Sequence, residues 1–353
     1  MVNSIITASG SYIPPKAIPN QHFMGNEFYG ADGKRIEKPN PEIIEKLHEI
    51  TGIQERRYVT DGMTTSDIAF KAAEQALEGI DRESLDHIIV AQNLGDTTAD
   101  NNRCDIVPSL ASRVKHKLRI KNPYCVAFDL PFGCPGWLQA AIMADTFIKA
   151  GHARRILIIG AEILSRVADP HDVDCMIYAD GAGANLIEAA DREGGILSHV
   201  ARSDTYEHAY LLWLGTSYNP QRNGNDLFIK MHGHDIYKYA LKTVPKVVKQ
   251  NLDQSGIHLS QVKKVLIHQA NAKMDEAILK RLFDLYQVRE IPADIMPMII
   301  SWAGNSSVAT LPILYDLLMR RKLDGHRLNS GDVIVFASIG AGMNINSMVY
   351  RLP

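Results

Sequence analysis

The 353-residue sequence has little cysteine, four in all, and almost no excess of either charge, with 38 basic against 40 acidic side chains. Cys104, Cys125, Cys134 and Cys175 are too few and too irregularly spaced for a disulfide framework or a zinc site, and they fit reduced thiols in a cytoplasmic protein. Balanced charge supplies no global field for nucleic acid or an anionic membrane, so neither is expected as a partner. No run reaches the roughly 18 apolar residues of a membrane span. The opening MVNSIITASGSYIPP lacks the cationic and unbroken apolar regions of a secretion signal. The HGH of His232 to His234 offers two imidazoles, too few for a metal, and no metal site is expected. No low-complexity linker divides the chain.

What is present is alternation. TTSDIAFKAAEQALEGI has helical periodicity, HIIVAQN and YCVAFDL are strand-like, an Ala-rich helical pattern starts at Pro135, and RRILIIGAEI is again a strand. This order implies an α/β architecture with largely buried sheets. The second half repeats it: VKKVLIHQANAK resembles LDHIIVAQNLGD, and GDVIVFASIG resembles RRILIIGAEI. Both pairs are offset by about 177 residues (Ile88 to Val265, Ile156 to Val333). Equal offsets predict a duplicated core with two halves, residues 1–200 and 201–353, the boundary falling within 185–225. HDIYKYALKTVPKVVKQNLDQSG reads as a helix between Gly233 and Gly256, interrupted by Pro245.

Cys134 stands where a strand must turn into a helix, with Gly133, Pro135 and Gly136 suited to the tight turn and first helical position. Amides at a helix start favour a thiolate and an oxyanion, which lifts Cys134 above the other three thiols as a nucleophile. His268 ends the strand Lys264 to Ile267, on the sheet edge where α/β proteins place ligands. Asn305, in a glycine-flanked turn before an Ala/Leu-rich helical pattern, occupies in the second half the slot that Cys134 holds in the first.

An ordered set of motifs covers nearly the whole chain: GSYIPP, TGIQERRYV, FDLPFGCPGW, LSRVADP, YADGAGANL, MHGHDIYKYAL, IHQAN, AGNSSVAT and IGAGMNINSMVYRL. In these the chain resembles the thiolase-fold condensing enzymes of the β-ketoacyl-[acyl-carrier-protein] synthase III type. The resemblance implies a thiolase-like fold, two pseudo-two-fold related βα halves forming a layered αβαβα core, and a homodimer. It also implies a catalytic triad of Cys134, His268 and Asn305, with backbone amides of Cys134, Ala341 and Gly342 at the acyl oxyanion. Acyl carrier protein and phosphopantetheine-borne acyl thioesters would be the partner and substrates, with no other cofactor. Arg166, Lys238, Asn271, Lys273, Lys280 and Arg281 would hold the carrier and its pantetheine arm, and Val107 would border an acyl pocket, at the place where initiators put a phenylalanine reaching into the partner's.

Departures accompany the resemblance. Fatty-acid initiators of this group carry a tryptophan and an arginine ahead of TGI that grip coenzyme A, and Lys46 and Ile50 stand there instead. The insertion GADGKRIEK and the small Val107 also differ. The expected activity is therefore Claisen condensation of a Cys-bound acyl group with a malonyl- or β-ketoacyl-carrier thioester in specialised fatty acid or polyketide synthesis, of a resorcinol- or stilbene-forming kind. A fatty-acid-initiating synthase III is the alternative. More remote are a Cys-His-Asn peptidase, whose C-G-[SA]-C-[WY] signature is missing, and a silent relative that only binds acyl carrier.

Overall fold

The computed structural model describes residues 2–100, 102–222 and 224–353. Five strands form the first sheet: β1 (Asn3–Tyr12), β2 (His87–Gln92), β3 (Val126–Pro131), β4 (Arg155–Ile163) and β5 (Asp180–Ala190), in the order β1-β5-β4-β2-β3. Four form the second: β6 (Gly195–Ser203), β7 (Val262–Ile267), β8 (Val333–Gly340) and β9 (Asn344–Arg351), in the order β7-β8-β9-β6. In the first sheet β2 runs parallel to β4, which pairs antiparallel with β5, and β5 with β1. The second repeats these senses, β7 parallel to β8, then β9 and β6 antiparallel. Ile88 lies opposite Leu157 and Val265 opposite Val335, so the offset seen in the sequence survives to within one residue.

The strands most deeply placed are β4 and β8, Ile/Val-rich runs buried along almost their whole length, as covered parallel strands require. Of the helices α1 (Asn40–Thr51), α2 (Thr65–Ala76), α3 (Leu110–Lys117), α4 (Gly136–Lys149), α5 (Gly233–Ser255), α6 (Ala272–Leu285) and α7 (Thr310–Met319), the last six cover the sheets, and α1 packs against α6. Trp137, Leu138 and Ala141 of α4 and Leu311, Leu314 and Tyr315 of α7 share one core with Ile158 of the first sheet and Phe336 of the second, which places these two helices between the sheets. The far face of the first sheet packs on α2 and α3, and that of the second on α5 and α6. The result is five layers, αβαβα, as expected.

The change from one sheet to the other lies in the turn at residues 191–194, inside the window of 185–225, and β6 runs across residue 200. One detail departs from the sequence reading. Helix α5 is continuous through Pro245 and ends at Gly256, whose φ of +69° closes it. Proline at 245 cannot bond the carbonyl of Leu241, and that oxygen instead accepts from Nη1 of Arg281 on α6 at 3.1 Å.

Candidate active site

Strand β3 ends at Pro131 and α4 begins at Gly136, so Cys134 occupies the turn between them, half-buried, behind Gly133 at φ +70°. The end of β8 comes up against this turn from the other sheet. A Cβ on Gly340 would stand 2.5 Å from the Cys134 amide nitrogen, and one on Gly133 would stand 2.9 Å from that of Ala341. Only residues without side chains permit that approach. His268 is the first residue after β7, buried, its amide bonded to the Ala337 carbonyl at 2.9 Å. Asn305 is stitched to the approach of β5: its amide donates to Ile177 O at 3.1 Å and its carbonyl accepts from Ala179 at 2.8 Å. Its Oδ1 accepts from the Ser307 amide at 2.8 Å, which turns the carboxamide's Nδ2 donor away from the loop.

Cys134, His268 and Asn305 all border one cavity of about 1070 Å³. Its walls are mostly apolar: Leu47 and Ile50 from α1, Leu164 and Ile177, and Trp213 and Met231 from a hairpin of residues 212–215 and 228–231. Burial sets the electrostatics. It pushes the Cys134 thiol up to about 11, while the hydroxyl of Ser307, 3.2 Å from Sγ, and the residue's own amide pull the other way. The amides of the helix start thus do not yield a resting thiolate, because the apolar wall outweighs them. Burial also pushes His268 down to about 4, which keeps the imidazole neutral. Its Nδ1 is enclosed without a partner among the described residues, leaving Nε2 as the nitrogen that meets the cavity.

A thiol, a neutral imidazole and a carboxamide bordering one mostly apolar cavity are groups that can carry acyl transfer through thioesters. Family models agree with it. The 3-oxoacyl-[acyl-carrier-protein (ACP)] synthase III model matches residues 128–205, and the C-terminal model of the same family matches 252–352. A β-ketoacyl-[acyl-carrier-protein] synthase III of Xanthomonas campestris is 32% identical across 99% of this chain and 98% of its own. The chain belongs to the β-ketoacyl-[acyl-carrier-protein] synthase III family. The synthase III of Ehrlichia canis is 33% identical over the full length of both chains. A solved relative, the synthase III of Aquifex aeolicus, superposes with a TM-score of 0.79 at 27% identity, covering 99% of this chain and 100% of that one. As a synthase III this protein is a ketosynthase, a condensing acyltransferase that joins acyl units by Claisen condensation.

The synthase III motifs lead to several further positions. Ala341 borders the cavity, while Gly342, at φ +75°, lies against the Asn344 side chain. Asn271 borders the cavity and caps α6, its Oδ1 accepting from the Met274 amide at 3.0 Å. Lys238, Lys273 and Lys280 are exposed. Arg281 is held by the Leu241 carbonyl, and Arg166, away from the cavity wall, donates to the carbonyls of Thr97 and Asp61. Val107 is 80% exposed and outside the cavity of its own chain. Lys46 and Ile50 both border the cavity.

Among the cavity residues that sequence reasoning passed over are the polar Asn93, Asp174, Tyr178 and Ser307. Asn93 could have been found, since it follows β2 as His268 follows β7. Asp174 is pushed up to about 7 by burial and by neighbouring Asp172. Tyr178 is buried against Leu94, Leu164 and Val167, its hydroxyl without a partner among the described residues.

Proposed function

We propose that this synthase III condenses a long acyl group on Cys134 with a malonyl- or β-ketoacyl-carrier-protein thioester, in specialised lipid or polyketide synthesis of the resorcinol- or stilbene-forming kind. The observation that carries this reading is the cavity: about 1070 Å³ of mostly apolar space bordering Cys134. That is just above the roughly 300–1,000 Å³ of small-molecule sites, with room for two acyl units. Lys46 and Ile50 on its wall, where initiators are expected to grip coenzyme A, favour primers delivered by acyl carrier protein. The phosphopantetheine arm carries both substrates, and the reading calls for no further cofactor.

In the first half-reaction Sγ of Cys134 attacks the acyl thioester; the Sγ–C bond forms, the carrier's C–S bond breaks, and the thiol proton leaves with the released pantetheine thiol. The backbone amides of Cys134 and Ala341 receive the oxyanion. In the second, a malonyl extender loses carbon dioxide, its carboxylate carbon–carbon bond breaking to leave an enolate. Nε2–H of His268 and Nδ2 of Asn305 donate to the enolate oxygen. Asparagine donates there without titrating, and the neutral histidine keeps its donor across the physiological range. Carbon–carbon bond formation then expels Sγ as thiolate. Lys238, Lys273 and Lys280, exposed on α5 and α6, are the carrier-facing cations in this reading.

Strand β3 ends the first sheet with Val126 50% and Tyr124 85% exposed, and Ile106 and Val107 stand exposed as well. We place a second copy of the chain on this face, where Val107 would meet the partner. Sedimentation of the purified protein checks it, a monomer at micromolar concentration being the contrary result.

Incubation with acyl carrier thioesters followed by intact mass tests the function. An acyl adduct absent in Cys134→Ala, formed faster from carrier than from coenzyme A thioesters, and long-chain products from a malonyl and β-ketoacyl panel are expected. Rapid priming by acetyl-coenzyme A with short products would return the protein to the fatty-acid initiators.

A further inference from the structure

Two residues beyond Asn305 the backbone of Ser307 takes φ +50°, a region that residues with side chains seldom adopt. Its amide is tied to Asn305 Oδ1 at 2.8 Å, and the fold-back brings Oγ to 3.2 Å from Cys134 Sγ. On its other side Oγ lies 3.1 Å from Nδ2 of Asn93, and the same Nδ2 lies 2.6 Å from Oε1 of Glu162. Glu162 is buried at the end of β4, and desolvation raises its carboxyl well above the usual range.

Directionality follows from donor counting. An amide nitrogen only donates, so Asn93 gives one proton to Glu162 and the other to a lone pair of Ser307. With that lone pair engaged, the one proton of the Ser307 hydroxyl is directed at sulfur. The chain Glu162, Asn93, Ser307, Cys134 therefore ends in a donor on the reacting atom, a pull that opposes the upward push of burial and of Glu162 on the thiol.

We propose that Ser307 is a catalytic residue whose hydroxyl stabilises the Cys134 thiolate, and that Asn93, anchored on Glu162, is the positioning residue that aims it. Donation counts twice: when the S–H bond gives way during acylation, and when the Sγ–C bond breaks as the new carbon–carbon bond forms. In both steps negative charge gathers on sulfur inside an apolar cavity, where a charge-assisted hydrogen bond is worth most. The proposal rests on Cys134 being the acyl-carrying nucleophile.

The test follows iodoacetamide alkylation of Cys134 by peptide mapping from pH 6 to 10 in the full chain, beside acyl-adduct formation in the unmodified protein. Ser307→Ala removes the hydroxyl and keeps the strained backbone; Ser307→Gly removes both. Alkylation about tenfold slower at pH 8 in both variants, with the profile moved to higher pH, is expected from losing one charge-assisted bond. Asn93→Ala should shift the profile in the same direction by a smaller factor. Wild-type rates and profile in the Ser307 variants would overturn the proposal, as would a Gly variant that behaves as wild type while Ala does not. An unchanged profile in Asn93→Ala removes the positioning role. Absence of an acyl adduct in the unmodified protein strikes at the nucleophile reading instead, a separate failure.

Discussion

Single side chains decide the protonation states of this site. Because burial depresses His268 to about 4, the folded protein does not take the proton that an unfolded histidine takes near 6.5. Its contribution to stability is fully present above that value and is lost as pH falls through about 4. Condensation by pre-acylated enzyme should likewise show no inflection between pH 6 and 7, and an acid limb only toward 4; a pH–rate profile checks this. His268→Ala should keep Cys134 acylation, read by intact mass, while condensation falls at least about a hundredfold, the scale of a lost oxyanion donor. At Tyr178 the hydroxyl is buried without a partner among the described residues, so Tyr178→Phe should raise stability to denaturant by about 1 kcal/mol. At this scale the gathering of Cys134, His268 and Asn305 on one cavity was legible, because they stand at turns and strand ends with recognisable chemistry. The sequence was silent on Ser307 and Tyr178, which depend on what faces them across the layers, and on the burial that raises the thiol, because a helix start is visible in a sequence and an apolar wall is not.

Elements set the spacing of those side chains. The meeting of β8 with the β3–α4 turn depends on Gly340, and a methyl there would press on the Cys134 amide nitrogen at 2.5 Å. Gly340→Ala should therefore slow acylation about a hundredfold, measured as adduct formation, with little loss of secondary structure by circular dichroism. Helix α5 carries its own lesson. Proline within a helix reads as an interruption, yet α5 continues because Arg281 reaches across from α6 to the carbonyl left without an amide. Arg281→Ala should lower stability by about 1 kcal/mol, and by much less in a Pro245→Ala background, where the restored amide bonds Leu241 itself; a double-mutant cycle in urea measures the difference. Repeating strands were legible because their Ile/Val runs recur at one offset. The hairpin of residues 212–215 and 228–231 was not, since four-residue strands around NPQRNGND carry too little period to stand out from a loop.

Over the whole molecule the two sheets present equivalent strand ends to one space, and that convergence followed from duplication alone. The volume of the space did not: it depends on α1 and the hairpin, which lie outside the repeat. Narrowing it at the hairpin, by Ile229→Trp, should shift acylation toward shorter chains while Cys134 alkylation stays at its original rate, which separates acyl fit from thiol chemistry. Fold class was therefore more legible than acyl preference, because layers are built from periodic runs and the cavity wall from scattered ones.

The contact between Gly340 and the Cys134 turn also has an order in time. A ribosome releases the thiol roughly two hundred residues before the glycine that seals it, and N-terminal parts of a chain begin folding first. Throughout that interval the sulfur lacks its cover from β8 and meets cellular electrophiles as an ordinary cysteine. Arrival of the last two strands converts it into a guarded one, so a nascent chain stalled short of residue 340 would be the form most open to chemical damage.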